Sequence, residues 1–303
     1  MTYSPIDHSA IVRLLVPPSG PCDVAIDTDA YNMIDDQCAI VLALLSDQLN
    51  VEGIYAAPYS DPSFGPGDGM EKSFEEIARV LERLPSRYEG AVLKGAAEWM
   101  TAPDSPVDNP ATKGLVATAM KERAGPLYVL ALGPMTNVAS AIAAEPRIRD
   151  RIVVVALGGT PYHYPDYEDF NFCEDLVATR LVFDSGVPIV HMPGWNVSEL
   201  MMTSEPEMAK HVKGKGAVGD YLYEIYCGYV PDIPGHGESL WDVAVVGYML
   251  DPSWTRHRLT TSPIFGDQQR YSFDWRRHPV RVVEWIDRNA MMRDFFGKLA
   301  EAT

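Results

Sequence analysis

Positive charge is scarce in this chain. Against 42 Asp and Glu stand 25 Lys and Arg, a formal net charge of −17. Nucleic acid and anionic membrane surfaces are gripped through basic patches, so neither is expected as a main partner. A small neutral substrate stays open. Cysteine is sparse too. Cys22, Cys38, Cys173 and Cys227 lie far apart with no metal-like or redox-like spacing, which fits a reducing cytosol better than a disulfide framework. No run approaches the roughly 20 apolar residues of a membrane span; Ile11 to Val16 is short and broken by Arg13. Met1 to Gly20 lacks the charged start and long apolar core of a secretory signal. The expected location is cytoplasmic.

Several catalytic signatures are missing as well. There is no Gly-x-x-x-x-Gly-Lys-Ser/Thr phosphate loop. Gly65-Pro-Gly-Asp-Gly69 is glycine-rich, but Pro66 and its context argue against a dinucleotide fingerprint. No Gly-x-Ser-x-Gly elbow occurs. The seven histidines never adopt His-Glu-x-x-His spacing. Carboxylate chemistry with an oxygen-coordinated metal remains.

Carboxylates are what the chain has, and the densest stretch is Asp27-Thr-Asp29 followed by Asp35-Asp36. An apolar run, Val24 to Ile26, precedes it, and apolar residues at helical spacing follow it, which predicts strand, acidic loop, helix. Ligands of open α/β sheets sit beyond the carboxyl ends of strands. Four carboxylates gathered there repel one another unless they share a proton or a cation, and oxygen-only ligands suit Ca²⁺ or Mg²⁺. Capping a helix N-terminus accounts for one or two of the four.

The rest of the chain alternates predicted strands with predicted helices. Residues 1–22 read as an N-terminal leader, with Pro17-Pro18 as breaker. Strands are expected near 51–57, 91–95, 127–132, 151–157, 187–192 and 280–285. Helices are expected over 70–84, 113–123 and 138–144, the last capped by Thr136 or Asn137. Others should end at Asp184, cover 241–250 and close the chain at 289–299. Pro58 to Gly69 is expected to be a long loop, either a lid or a surface insertion. Residues 204–237 read as a helical cap or lid region rich in Tyr. The fold class is therefore α/β: one domain over 1–303, a mainly parallel central sheet with helices on both faces.

Four segments, in order, now carry a resemblance. They are Asp27-Thr-Asp29 with Asp35-Asp36; Leu132-Gly-Pro-Met-Thr-Asn137 with Glu145-Pro; Gly158-Gly159 with Asp169-Phe170-Asn171; and Trp241-Asp242 with Asp251-Pro. Together they resemble the nucleoside hydrolases, which cleave the N-glycosidic bond of ribonucleosides. The resemblance implies Ca²⁺ held by Asp29, Asp36, Asp242 and the backbone carbonyl of Leu132. It implies Asp29 as general base on a metal-bound water, attacking through an oxocarbenium-like transition state. Asp35, Asn171 and Asp169 would bind the ribose, with Asp27 a structural acid behind them. It also implies a homodimer or homotetramer.

The chain departs from the family pattern in three places. Asp35 follows Asp29 by six positions where the family spacing is four, so Tyr31 or Asn32 can enter the site. Trp241 stands where many members carry a His that protonates the leaving base. Tyr59-Ser60-Asp61 replaces a sugar-contacting Asn. Trp241 either stacks on the base or packs as core. Proton supply would come from His236, Glu238 or Tyr229, or the base leaves without protonation. Two alternatives stand beside hydrolysis. One is a non-catalytic ribose- or nucleoside-binding protein that keeps the metal site. The other is a haloacid-dehalogenase-type phosphatase, against which Tyr31 stands where that motif wants Thr or Val.

Overall fold

The computed structural model describes residues 6–302. The first half contains helix α1 (His8–Leu14), strand β1 (Cys22–Thr28), α2 (Asp35–Leu44), β2 (Leu49–Ala56), α3 (Pro66–Leu81) and β3 (Ala91–Lys94). Then come α4 (Pro110–Ala119), β4 (Leu127–Ala131), α5 (Thr136–Ala144) and β5 (Ile152–Leu157). The second half opens with α6 (Phe170–Glu174), α7 (Leu176–Asp184), β6 (Ile189–Met192), β7 (Met202–Thr203), α8 (Glu205–His211) and α9 (Gly216–Tyr229). It continues with β8 (Glu238–Ser239), α10 (Val243–Leu250), β9 (Thr255–Thr261), β10 (Pro263–Phe265), β11 (Tyr271–Phe273), β12 (Pro279–Ile286) and α11 (Arg288–Glu301).

One eight-stranded sheet dominates, in the order β3-β2-β1-β4-β5-β6-β12-β9. Its neighbours pair parallel except β12 with β9. The period-two alternation of buried strands divides the core between the two faces. Val24 and Ile26 of β1, Leu130 of β4 and Val153 and Val155 of β5 join one apolar cluster with α2, α10 and α11. Ala25, Val129 and Val154 point the other way, into a cluster with α4, α5 and α7. The mainly parallel sheet covered on both faces is thus the fold. Strand order reverses direction at the β1–β4 pair, the switch point at which a crevice opens beyond the strand ends.

Some expectations are corrected. Within the N-terminal leader, where no helix was expected, residues 8–14 form α1, with Asp7 as N-cap. Ile11 is buried in the core and the Arg281 guanidinium donates to the Leu15 carbonyl; residues 1–5 lie outside the described residues. Helix α3 starts at Pro66, not Met70, because proline at the first helical turn has its φ already set and needs no N–H partner. The preceding loop is correspondingly short. Neither Thr136 nor Asn137 caps α5; Met135 stands at the cap without a side-chain bond. The strand β9 was not expected. It is a polar edge strand with no apolar alternation to betray it. Residues 205–229 form α8 and α9, docked through Met208, Val212, Leu222 and Tyr226. Among the described residues, no helix is long and apolar enough to cross a membrane.

Candidate active site at the sheet switch point

Five loops meet over the carboxyl ends of β1, β4, β5 and β6 and enclose a cavity of about 300 Å³. The loop after β1 brings Asp29, Asn32 and Met33. The first turn of α2 brings Asp35 and Asp36, and the end of β4 brings Leu132. Asp169, Phe170 and Asn171 come from the start of α6, Gly194 and Trp195 from beyond β6, and Glu238, Trp241 and Asp242 from β8 and the start of α10. The structure therefore brings together nearly every residue expected at the site. His236 and Tyr229 are the exceptions: His236 is exposed and lines a separate cleft beside Met202 and Glu207, and Tyr229 is exposed and does not line the cavity. The Gly235-His-Gly237 turn, with Gly235 at φ 81°, carries His236 away from the Trp241 wall. Nor does any residue of 204–237 line the cavity. Tyr226 packs in the core and the Tyr221 hydroxyl donates to Glu76.

Among the described residues, no lysine, arginine or histidine lines the cavity beside the carboxylates. Oxygens of Asp35, Asp36 and Asp242 lie within 4.8 Å of one another. Asp29 sits beside them, and its carboxylate packs directly over Gly133: a Cβ there would meet Asp29 Oδ1 at 2.4 Å. The Asn32 amide donates to Asp29 Oδ2 at 3.1 Å, so Asn32, not Tyr31, reaches the site. Tyr31 is half-exposed at φ 89°, a conformation rare for a non-glycine residue and found where a functional loop overrides local preference. The Thr28 hydroxyl donates to Asp36. Asp242 Oδ1 is buried with no hydrogen-bond partner.

Burial raises every pKa in the group, and repulsion between its members adds to this at Asp29, Asp35 and Asp242. Burial, then Asp36 and Asp35, pushes Asp29 well up; burial, then Asp36, does the same to Asp35. Burial followed by Asp36, Asp35 and Asp29 raises Asp242. Burial lifts Asp36 to about 6, opposed by its hydrogen bonds from Thr28 and Asp242. Ionised carboxyls this close, with an orphaned buried oxygen among them, call for a shared cation or protons. The donor set is oxygen only, so it fits a hard divalent cation.

Around this centre the positioning is local. The Asn171 amide donates to the Leu132 carbonyl at 2.5 Å and to the Leu157 carbonyl at 3.3 Å, which ties β4 to β5 and leaves its carbonyl oxygen free of both. Asp169 caps α6, accepting from Phe172 N at 2.8 Å; burial raises it to about 7. Asp27 lies behind the cavity, fully buried, accepting from the Asn137 amide at 2.8 Å. Asn137 also donates to the Ala56 carbonyl and accepts from Ala96 N, so it clasps three strand ends together rather than capping a helix.

Two aromatic residues of the cavity wall escaped the sequence reading. Trp195 stands edge-to-face with Trp241, ring centroids 5.3 Å apart at 78°, and Phe170 lines the same cavity. Trp195 follows Pro193-Gly194 directly after a strand, so the strand-end rule pointed to it. Gly159 adopts φ 65°, and its carbonyl accepts from Gly194 N and Trp195 N, which fixes that wall. Trp241 both packs against the core and lines the cavity. Tyr59 is buried and the Ser60 hydroxyl donates to Glu174, so neither takes the place of a sugar-contacting Asn.

An acid-floored, aromatic-walled cavity at the switch point of a parallel sheet defines a small-molecule site. The family model for inosine-uridine preferring nucleoside hydrolases matches residues 24–293, and the chain belongs to that family. The pyrimidine-specific ribonucleoside hydrolase RihA of Escherichia coli O7:K1 is 29% identical over 188 residues, 54% of this chain and 58% of that protein. Its counterpart from Salmonella typhimurium is 29% identical over 198 residues, 58% of this chain and 60% of that protein. The matched stretch thus spans less than two thirds of these relatives. Among solved structures, a plant nucleoside hydrolase superposes with TM-score 0.73 at 20% identity, covering 92% of this chain and 99% of that one. A purine-preferring ribonucleoside hydrolase from Gardnerella vaginalis gives 0.71 at 20% identity, over 92% and 98%. At such identity these likenesses speak for the fold.

Proposed function

We propose that this chain hydrolyses the N-glycosidic bond of a ribonucleoside, releasing ribose and free base, with Ca²⁺ as cofactor. The observation that carries the reading is the convergence of Asp29, Asp35, Asp36 and Asp242 in one buried cluster, with no lysine, arginine or histidine among the described residues that line the cavity. Asp36 and Asp242 belong both to the expected ligand set and to the observed trio, so they hold the cation. Asp29 and the Leu132 carbonyl, which line the same cavity, would complete its ligands. When bound, the ion supplies positive charge that acidifies a water and anchors a sugar diol.

The chain's own groups do the rest. Asp29, fixed between Gly133 and the Asn32 amide, takes the proton of the attacking water. Asp35 and Asn171 hold the ribose hydroxyls, and Asp169 receives the far end of the sugar. The surrounding carboxylates stabilise positive charge as it develops on the ribose. Trp241, with Trp195 behind it, supports the base. All four cysteines are free, in keeping with action in the cytoplasm.

A panel of inosine, uridine and other N-ribosides tests the reading. Free ribose should appear, and exhaustive EDTA should suppress it. Turnover that survives chelation sinks the metal role. Riboside binding without ribose release identifies a binding protein instead. The phosphatase alternative gains nothing from the geometry, since Asp27, its required nucleophile, is fully buried against Asn137.

A further inference from the structure

The cavity wall holds six carboxylates: Asp29, Asp35, Asp36, Asp169, Glu238 and Asp242. Among the described residues, no lysine, arginine or histidine lines it. A neutral nucleobase must gain a proton as it leaves, and the obvious donors are absent or engaged. Of the close trio, Asp36 and Asp242 are assigned to the cation and Asp35 to the ribose hydroxyls, and Asp29 is the base. Asp169 caps α6 and receives the far end of the sugar, away from the base. Glu238 accepts from Ser239 N at 3.0 Å. The same wall carries the edge-to-face pair of Trp195 and Trp241, with Trp195 45% exposed and free to meet a ligand. Aromatic faces beside a carboxylate are the surroundings that favour a delocalised organic cation.

Resting on the hydrolase reading above, we infer that the preferred substrate is a riboside whose base is already a cation, a pyridinium or N-alkylated purine riboside. The Trp195–Trp241 wall and the Glu238 carboxylate hold its charged ring. The C1′–N bond breaks with its electron pair passing to the ring nitrogen, so the base leaves neutral and needs no proton. Water adds to C1′ and gives one proton to Asp29, which passes it to solvent. Riboside cation and water thus become ribose, neutral base and a proton. Glu238 is the specificity residue, held at the cavity by the β7–β8 ribbon.

The test compares nicotinamide riboside, a pyridinium cation, with inosine, on the Ca²⁺-loaded wild type and on Glu238→Gln. Gln keeps the length and the acceptor for Ser239 N. Wild type should favour the cation in kcat/KM by about a hundredfold or more, and the substitution should lower that ratio about tenfold, equivalent to one charged contact. The intrinsic reactivity of the two ribosides cancels in this ratio of ratios. Calorimetric binding of 1-methylnicotinamide against neutral nicotinamide reads the charge preference without turnover. Inosine cleaved as well as the cation, a ratio unmoved by Glu238→Gln, or equal affinity for the two free rings each overturns the inference and leaves the hydrolase reading intact. A preference for the cationic ring with no ribose released from any riboside supports the cation pocket and removes the hydrolase reading.

Discussion

Asp27 is the carboxyl most exposed to test, because its environment is simple. It is fully buried, its Oδ1 accepts from the Asn137 amide and its Oδ2 has no partner. Burial, opposed only by that hydrogen bond, raises its pKa from 3.8 to about 7. A group with a raised folded-state pKa contributes stability that is complete below the unfolded value and is lost as pH rises through the folded one. About two pH units of that window fall between pH 5 and 7. At about 1.36 kcal/mol per unit, ionising Asp27 inside the fold costs the metal-free protein about 2–3 kcal/mol over this interval. Asp27→Asn mimics the protonated acid: its Oδ1 still accepts from Asn137, and its amide occupies the place of the protonated oxygen. Raising the pH from 5 to 8 in EDTA should therefore destabilise the wild type by about 2–3 kcal/mol more than the variant. At about 2.1 cal/mol/K per residue, a chain of 303 residues would show this as a Tm difference of about 4 °C. Urea unfolding at both pH values measures it directly, and the other carboxylates cancel because both proteins share them. Parallel pH dependences, offset by a constant, would refute the placement of an ionisable, uncompensated carboxyl behind the site.

Two other changes act at the cavity itself. Gly133→Ala would put a Cβ 2.4 Å from Asp29 Oδ1; the side chain must move, so ribose release should fall about a hundredfold, as misplacement of a reacting group does, while the unfolding midpoint holds. Full activity in that variant contradicts the position given to Asp29. Asp29→Asn should lower kcat by about 10²–10⁴-fold, the range for removing a general base, with riboside binding retained by calorimetry; a fully active variant would assign the base elsewhere.

The sequence by itself determined the alternation of strands and helices, the acidic stretch after the first strand and most of the groups around the cavity. These are local matters: apolar periodicity declares an element, and the strand-end rule says where its functional side chains gather. That is why the carboxylates of the first loop, Asp29, Asp35 and Asp36, were legible from pattern, whereas Leu132, Asn171 and Asp242 were named through the resemblance to the nucleoside hydrolases. Only the tertiary structure decided which of them approach one another. It drew Asp35 into the trio with Asp36 and Asp242, sent His236 to another cleft, turned Asn137 from a helix cap into a clasp between strands and set Trp195 against Trp241. Each of these depends on where separate loops end in space, and no pattern within one loop encodes the distance to its neighbour. The polar edge strand β9 went unseen for the opposite reason: its pairing with β12 is long-range, and its own residues carry no apolar alternation.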